Sequence, residues 1–155
     1  MEVRPGVKHE MMPEAAPETR PLEIRALVLD FDGVVLESND IKTEAFLALF
    51  QEYPEHLDAI AAYHRRHVGM SRYKKFAWIY ETLLGKPLSP ADLAELGARY
   101  SALVFEKILQ APFVPGAQAA LERLHGLGVP VFVASGTPQE ELDRIVERRG
   151  LGRCF

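Results

Sequence analysis

The stretch Leu27-Val28-Leu29-Asp30-Phe31-Asp32-Gly33-Val34-Val35 decides how the chain is read. An apolar, β-rich run stops on one aspartate, a second follows two residues later, and a glycine comes next. A short unbroken apolar run bounded by turn residues reads as a buried strand of a parallel sheet. On that reading Val28 and Leu29 lie inside the sheet. Asp30 stands at the carboxyl end of the strand, where open α/β sheets bind ligands. Gly33 allows a turn with positive φ. Side chains two apart on an extended chain share a face, so Asp30 and Asp32 can serve one centre. The plainer alternative is a strand followed by a loop with two solvated acids. The apolar run joined to D-x-D-G is a narrower pattern than an acid pair alone.

A second stretch repeats the arrangement. Val131-Phe132-Val133-Ala134-Ser135-Gly136-Thr137 places a small hydroxyl at the end of another apolar strand, read as Val129–Ala134. A helix starts just beyond it, and its free N–H groups and dipole favour an anion. Thr137 and Glu140 have capping-box spacing and Pro138 falls at the first helical position, so a plain helix cap accounts for Thr137.

Helical periodicity fills the region between the two strands. Ile41, Phe46, Leu49, Phe50 and Tyr53 recur near helical spacing over 40–53, with Ser38 or Asn39 as cap and Pro54 as the stop. Further helices are expected over 55–67, closed by Gly69, and over 72–84, capped by Ser71 and stopped by Gly85. A fourth follows Ser89-Pro90 and runs to about Leu109. One more precedes the second strand, over 117–127, and the last ends near Arg149 with Gly150 as its cap. Met1 to Pro21 is rich in proline and glutamate and poor in apolar groups, and is expected to be a disordered leader.

Asp30-Phe31-Asp32-Gly33-Val34 resembles the first motif of the haloacid dehalogenase superfamily, hydrophobics followed by D-x-D-G-[TV]. Val131 to Ser135 resembles its second motif, hydrophobics followed by Ser or Thr. The resemblance implies a Rossmann-like parallel α/β core, residues 22–36 and 112–155, with an inserted α-helical cap at 37–111 of the phosphoglycolate phosphatase and β-phosphoglucomutase type. It implies an Mg²⁺-dependent phosphatase acting on a small phosphorylated metabolite through an aspartyl-phosphate. Asp30 would be the nucleophile and a Mg²⁺ ligand. Asp32 would be the general acid and then base, with its backbone carbonyl on the metal. Ser135 and Gly136 would hold phosphoryl oxygens. Gly69-Met70-Ser71-Arg72 resembles the G-x-S-R stretch of β-phosphoglucomutase caps, which implies that Arg72 meets the distal part of the substrate. In β-phosphoglucomutases a histidine follows the first aspartate by twelve residues. Lys42 stands there instead, which tilts the reading from phosphomutase to hydrolase and brings a charge near the pocket.

The family's third-motif lysine and later metal-binding acids are expected beyond Phe155. Two strands alone leave open sheet edges and apolar surface, which favours self-association. The 155-residue chain is therefore expected to be a weak or inactive phosphatase on its own. The rival is a non-catalytic, truncated relative that acts as a binding module. A receiver domain also places acids at strand ends, but the long insert after Asp32 argues against it. The net charge of −4 gives no nucleic-acid footprint, and no apolar run approaches a membrane span. The single cysteine, Cys154, excludes an internal disulfide and fits a cytoplasmic setting. His64 and His67, three apart on a helix, are read as part of a polar face rather than as metal ligands. Trp78 and its aromatic neighbours are read as cap core.

Overall fold

The computed structural model describes residues 24–155, and the leader expected over 1–21 lies outside them. Strand β1 (Leu27–Leu29) pairs in parallel with β2 (Val131–Val133), with Leu27 opposite Val131 and Leu29 opposite Val133. Between them lie helices α1 (Asn39–Leu49), α2 (Leu57–Arg66), α3 (Arg72–Trp78), α4 (Pro90–Gln110) and α5 (Ala117–Gly126), and α6 (Gln139–Arg148) follows β2. The expected order of strand, helical insert, helix, strand and helix is the order found.

Both strands are shorter than the apolar runs that encode them. After β1 the chain folds at once: the Val35 and Leu36 N–H groups donate to the Phe31 carbonyl at 2.9 and 3.3 Å. Gly33 makes the turn with φ of +73°. This folding back delivers Asp32 to the strand end instead of extending the sheet. Val28 is 64% exposed and its cross-strand neighbour Phe132 is 57% exposed, so the expectation of a buried Val28 does not hold. Leu27 and Leu29 point the other way, into a groove shared with Leu121 and Leu124 of α5. A parallel strand is buried on both sides only when layers cover both faces, and here one face is bare.

The helical insert is held by α1 packed on α2 and α4, and by α3 packed on α4. Phe46 of α1 sits at its centre, with ring centroids 4.8 Å from Tyr100, 5.2 Å from Phe76 and 4.4 Å from His64. Trp78 stacks on Tyr63 at 3.6 Å with the rings parallel. Helix α1 ends at Leu49 rather than Tyr53. The Phe50 N–H tightens onto the Phe46 and Leu47 carbonyls, and Tyr53 leaves helical geometry just before Pro54, as proline requires of the residue ahead of it. Pro54 opens a 3₁₀ turn, Pro54–His56, ahead of α2. The single helix expected over 72–84 is α3 followed by a π-helical turn, Ile79–Leu84, stopped by Gly85 with φ of +59°. Ser89 and Asp92 form the full capping box of α4.

One buried ion pair ties the insert to the core. Arg72 of α3 donates to both carboxylate oxygens of Glu141 in α6, at 2.8 and 3.0 Å, and also to Ser101 of α4 at 2.7 Å. The Arg72 side chain is 4% exposed, that of Glu141 8%. Burial alone would raise the Glu141 pKa, but hydrogen bonds from Arg72 and Ser101 overcome it and hold the carboxyl below its ordinary value. Removing one partner of such a pair leaves the other charge buried alone. Glu141→Gln is expected to cost about 3–5 kcal/mol in chemical denaturation, and Arg72→Met combined with Glu141→Leu to recover most of it.

Candidate active site

The folded-back loop after β1 puts the Asp32 carboxylate at the centre of a polar cluster. Its Oδ1 accepts from the Ser38 hydroxyl at 2.6 Å. Its Oδ2 accepts from the Lys42 ammonium, from the Ser135 hydroxyl at 3.3 Å and from the Thr137 hydroxyl at 3.3 Å. Ser38 and Lys42 are four apart at the start of α1, so one helix face presents both to the same carboxylate. Lys42 also donates to Thr137 at 2.8 Å. The Thr137 N–H donates to Ser135 Oγ at 3.1 Å. The loops after both strands and the first turn of α1 therefore meet at one point.

Two capping expectations fail for the same reason. Ser38 precedes α1 but makes no side-chain cap bond, because its hydroxyl is directed at Asp32. Pro138, not Thr137, is the residue at the α6 cap, and α6 also has no side-chain cap bond. Thr137 is 7% exposed and its hydroxyl belongs to the Asp32 cluster.

Burial alone would raise the Asp32 pKa. The nearby Lys42 charge and hydrogen bonds from Lys42, Ser38 and Ser135 outweigh it, so the carboxyl lies below its ordinary value. Asp32 is thus held as a carboxylate. Asp30 stands apart from this cluster. Its Oδ1 accepts from the adjacent Phe31 N–H at 2.6 Å, and among the described residues no hydrogen bond engages its other oxygen. Of the two acids, Asp30 is the one with an oxygen free to receive a cation. Among the described residues no three His, Cys, Asp or Glu side chains cluster as metal ligands. For a hard ion such as Mg²⁺, which takes six oxygens, this chain offers the Asp30 carboxylate and backbone carbonyls, while the Asp32 carboxylate is occupied by Lys42.

Above the cluster, the insert closes a narrow pocket lined by Asp32, Lys42, Arg72, Lys75, His64 and Gly136 among others, with about 40 Å³ of free space. Gly136 is needed there. A Cβ at that position would lie 2.7 Å from the Gly69 carbonyl oxygen, so the loop after β2 touches the insert backbone to backbone. Arg72 lines the pocket, but its guanidinium is committed to Glu141 and lies 4.6 Å over the Tyr100 ring. It is not a free anion receptor as the G-x-S-R resemblance implied.

Lys75 carries no functional signal in the sequence and His64 reads there as part of a polar face, yet both line the pocket. His64 is 7% exposed and does not belong to a polar face. Its Nδ1 lies 3.3 Å from Lys75 Nζ. His67 points elsewhere, with Nδ1 2.9 Å from the Tyr63 carbonyl. Burial, together with the Lys75, Lys42 and Arg65 charges, lowers the His64 pKa to about 4. The imidazole is therefore neutral near pH 7 and accepts from the ammonium. Burial and Lys42 lower the Lys75 pKa to about 8, against a raising influence of Asp32.

Residues 24–155 match the family model for haloacid dehalogenase-like hydrolases, and the chain belongs to that family. Among curated proteins it is similar to phosphonoacetaldehyde hydrolase of Pseudomonas aeruginosa strain UCBPP-PA14, at 25% identity over 138 residues, 82% of this chain and 50% of that protein. It is also similar to phosphonoacetaldehyde hydrolase of Pseudomonas fluorescens strain SBW25, at 25% identity over 137 residues, covering 81% and 49%. The chain spans about half the length of these relatives. A crystal structure of a hydrolase from Pseudomonas syringae superposes with a TM-score of 0.62 at 17% identity, over 81% of this chain and 56% of that one, which supports the fold.

The His64 environment fixes a pH dependence. The unfolded imidazole takes up a proton as pH falls through about 6.5, whereas the folded one waits until about 4, so stability is full above 6.5 and drops below it. Denaturation midpoints should show a loss of about 2 kcal/mol between pH 6.5 and 5. His64→Gln should remove that slope.

Proposed function

We propose that this chain carries the phosphoryl-transfer centre of a phosphatase for a small phosphorylated metabolite. The observation that carries the reading is the meeting of Asp32, Ser135, Thr137 and Lys42 at the carboxyl ends of two parallel strands, with Asp30 two residues before Asp32, where β1 ends. A phosphate monoester resists attack because it is already anionic, so positioning and charge neutralisation do most of the work.

In this mechanism an Asp30 carboxylate oxygen attacks phosphorus, and the bond to the ester oxygen breaks. The leaving alkoxide takes a proton from Asp32. Water then attacks the aspartyl-phosphate, gives a proton back to Asp32, and releases inorganic phosphate and free Asp30. Asp32 begins this cycle in the wrong protonation state, because Lys42 holds it ionised. A bound phosphoryl dianion reverses that in two ways: it repels the carboxylate and it draws the Lys42 ammonium toward itself. The substrate thus creates the acid that its departure needs. Lys42 then neutralises phosphoryl charge, with the Ser135 hydroxyl and the Gly136 N–H as donors. Mg²⁺ held by Asp30 would offset the repulsion between that carboxylate and the phosphoryl group.

A second reading follows from the relatives, whose name specifies phosphonoacetaldehyde. The same pocket would then take a phosphonate in place of a phosphate ester. Hydrolysis of an aryl phosphate and of phosphonoacetaldehyde, each with and without Mg²⁺, separates the two. For the phosphatase reading, aryl phosphate turnover is expected to disappear with EDTA and with Asp30→Asn, and to fall about 10²–10⁴-fold with Asp32→Asn. Turnover unaffected by Asp30→Asn would overturn it. A complete lack of Mg²⁺-dependent turnover, combined with a stable dimer or hetero-complex in gel filtration, would identify a binding module instead.

A further inference from the structure

Thr137 touches both members of the Asp32–Lys42 pair, and no step of the proposed cycle uses it. The residue is 7% exposed. Its hydroxyl accepts from the Lys42 ammonium at 2.8 Å and donates to Asp32 Oδ2 at 3.3 Å. Its N–H donates to Ser135 Oγ at 3.1 Å, which ties it to the loop that carries the Ser135 hydroxyl and the Gly136 N–H. A threonine hydroxyl has one donor and two acceptor positions, so it serves a cation and an anion at once. The Lys42 backbone is fixed in the first turn of α1. Its N–H donates to the Ser38 carbonyl at 3.0 Å, and its carbonyl accepts from the Tyr100 hydroxyl at 3.3 Å. The end of the side chain is the part left to move. An ammonium has three N–H donors, and Asp32 and Thr137 take two of them. A phosphoryl dianion competes with the Asp32 carboxylate for that ammonium, because both are anions. It does not displace Thr137, whose oxygen is neutral.

We infer that Thr137 is a positioning residue, the pivot on which the Lys42 ammonium swings from Asp32 to the phosphoryl group. The inference rests on the proposed phosphoryl site but not on its turnover. With the hydroxyl in place, Lys42 keeps one bond throughout and its charge stays against the loop after β2. Without it, Asp32 is the one side-chain partner of Lys42 among the described residues, and the ammonium must give up that bond to reach a ligand. Thr137 gives its own hydroxyl hydrogen to Asp32, so its effect on a bound anion passes through Lys42.

A double-mutant cycle on the full chain with Mg²⁺ tests this. Inorganic phosphate is the probe, and binding is followed by phosphorus NMR, which reads affinities into the millimolar range. Thr137→Val removes the hydroxyl at nearly constant volume and should weaken phosphate about tenfold. Thr137→Ser keeps the hydroxyl and should stay within about twofold of the wild type. In a Lys42→Met background, Thr137→Val should change the affinity by less than about twofold. Circular dichroism melts establish which variants fold, and Thr137→Ala and Lys42→Gln are measured beside them so that each corner of the cycle is filled. A Thr137→Val effect that persists in full without Lys42 would make Thr137 a direct ligand contact and overturn the inference. Unchanged affinity in Thr137→Val and Thr137→Ala, or a loss that Thr137→Ser shares, would overturn it as well. Phosphate that fails to bind the wild type removes the site and this inference with it. If the cycle holds while aryl phosphate turnover is absent, the catalytic reading fails and this one stands.

Discussion

The Asp32–Lys42 pair is the interaction on which the site depends. It joins the loop after β1 to the first turn of α1, and through Ser135 and Thr137 it reaches the loop after β2. Both side chains are 12% exposed. At that burial the desolvation of two charges offsets much of their attraction, so such a pair is weak evidence for stability. What it fixes is geometry. One ammonium and three hydroxyls, from the start of α1 and from the loop after β2, converge on one carboxylate, and Lys42 and Thr137 also bond each other. The sheet, with three paired rungs, could not do this alone.

The helical insert supplies the remaining support. Phe46 packs against Tyr100 and Phe76 one turn beyond Lys42, and the Tyr100 hydroxyl donates to the Lys42 carbonyl at 3.3 Å. The apolar centre of the insert and the polar centre of the site are thus successive turns of the same helix. Truncating a buried aromatic of this kind costs about 3–5 kcal/mol, and here it would also loosen the anchor of Lys42. Arg72 and Glu141 join insert and core a second time, through α3 and α6. The insert is therefore more than a cover, because it orients the cation that faces the core.

Much of this was legible in the residues. The D-x-D-G pattern placed Asp30 and Asp32 at a strand end, and the second apolar run placed Ser135 at the end of the neighbouring strand, where its hydroxyl meets Asp32. Proline and glycine marked most helix boundaries. Three kinds of error have physical causes. Val28 was read as buried because an apolar run does not reveal whether a second layer covers it. Ser38 and Thr137 were read as helix caps because the same hydroxyl chemistry serves a cap or a carboxylate, and only tertiary structure decides between them. Arg72 was given to a ligand because its partner, Glu141, lies 69 positions along the chain. Lys75 gave no pattern at all, since a single lysine on an amphipathic helix usually faces water, and the spacing of His64 and His67 does not reveal that His64 is the one of the two that is buried.

The contact between the Gly69 carbonyl and Gly136 bears on how closely the insert sits on the core. Any side chain at position 136 would meet that carbonyl oxygen, so the two loops approach to a separation that only hydrogen permits. The buried guanidinium–carboxylate clasp of Arg72 and Glu141 joins insert and core at a second point. One contact sets the spacing by shape and the other by charge, so a substitution at either is felt at the polar cluster between them.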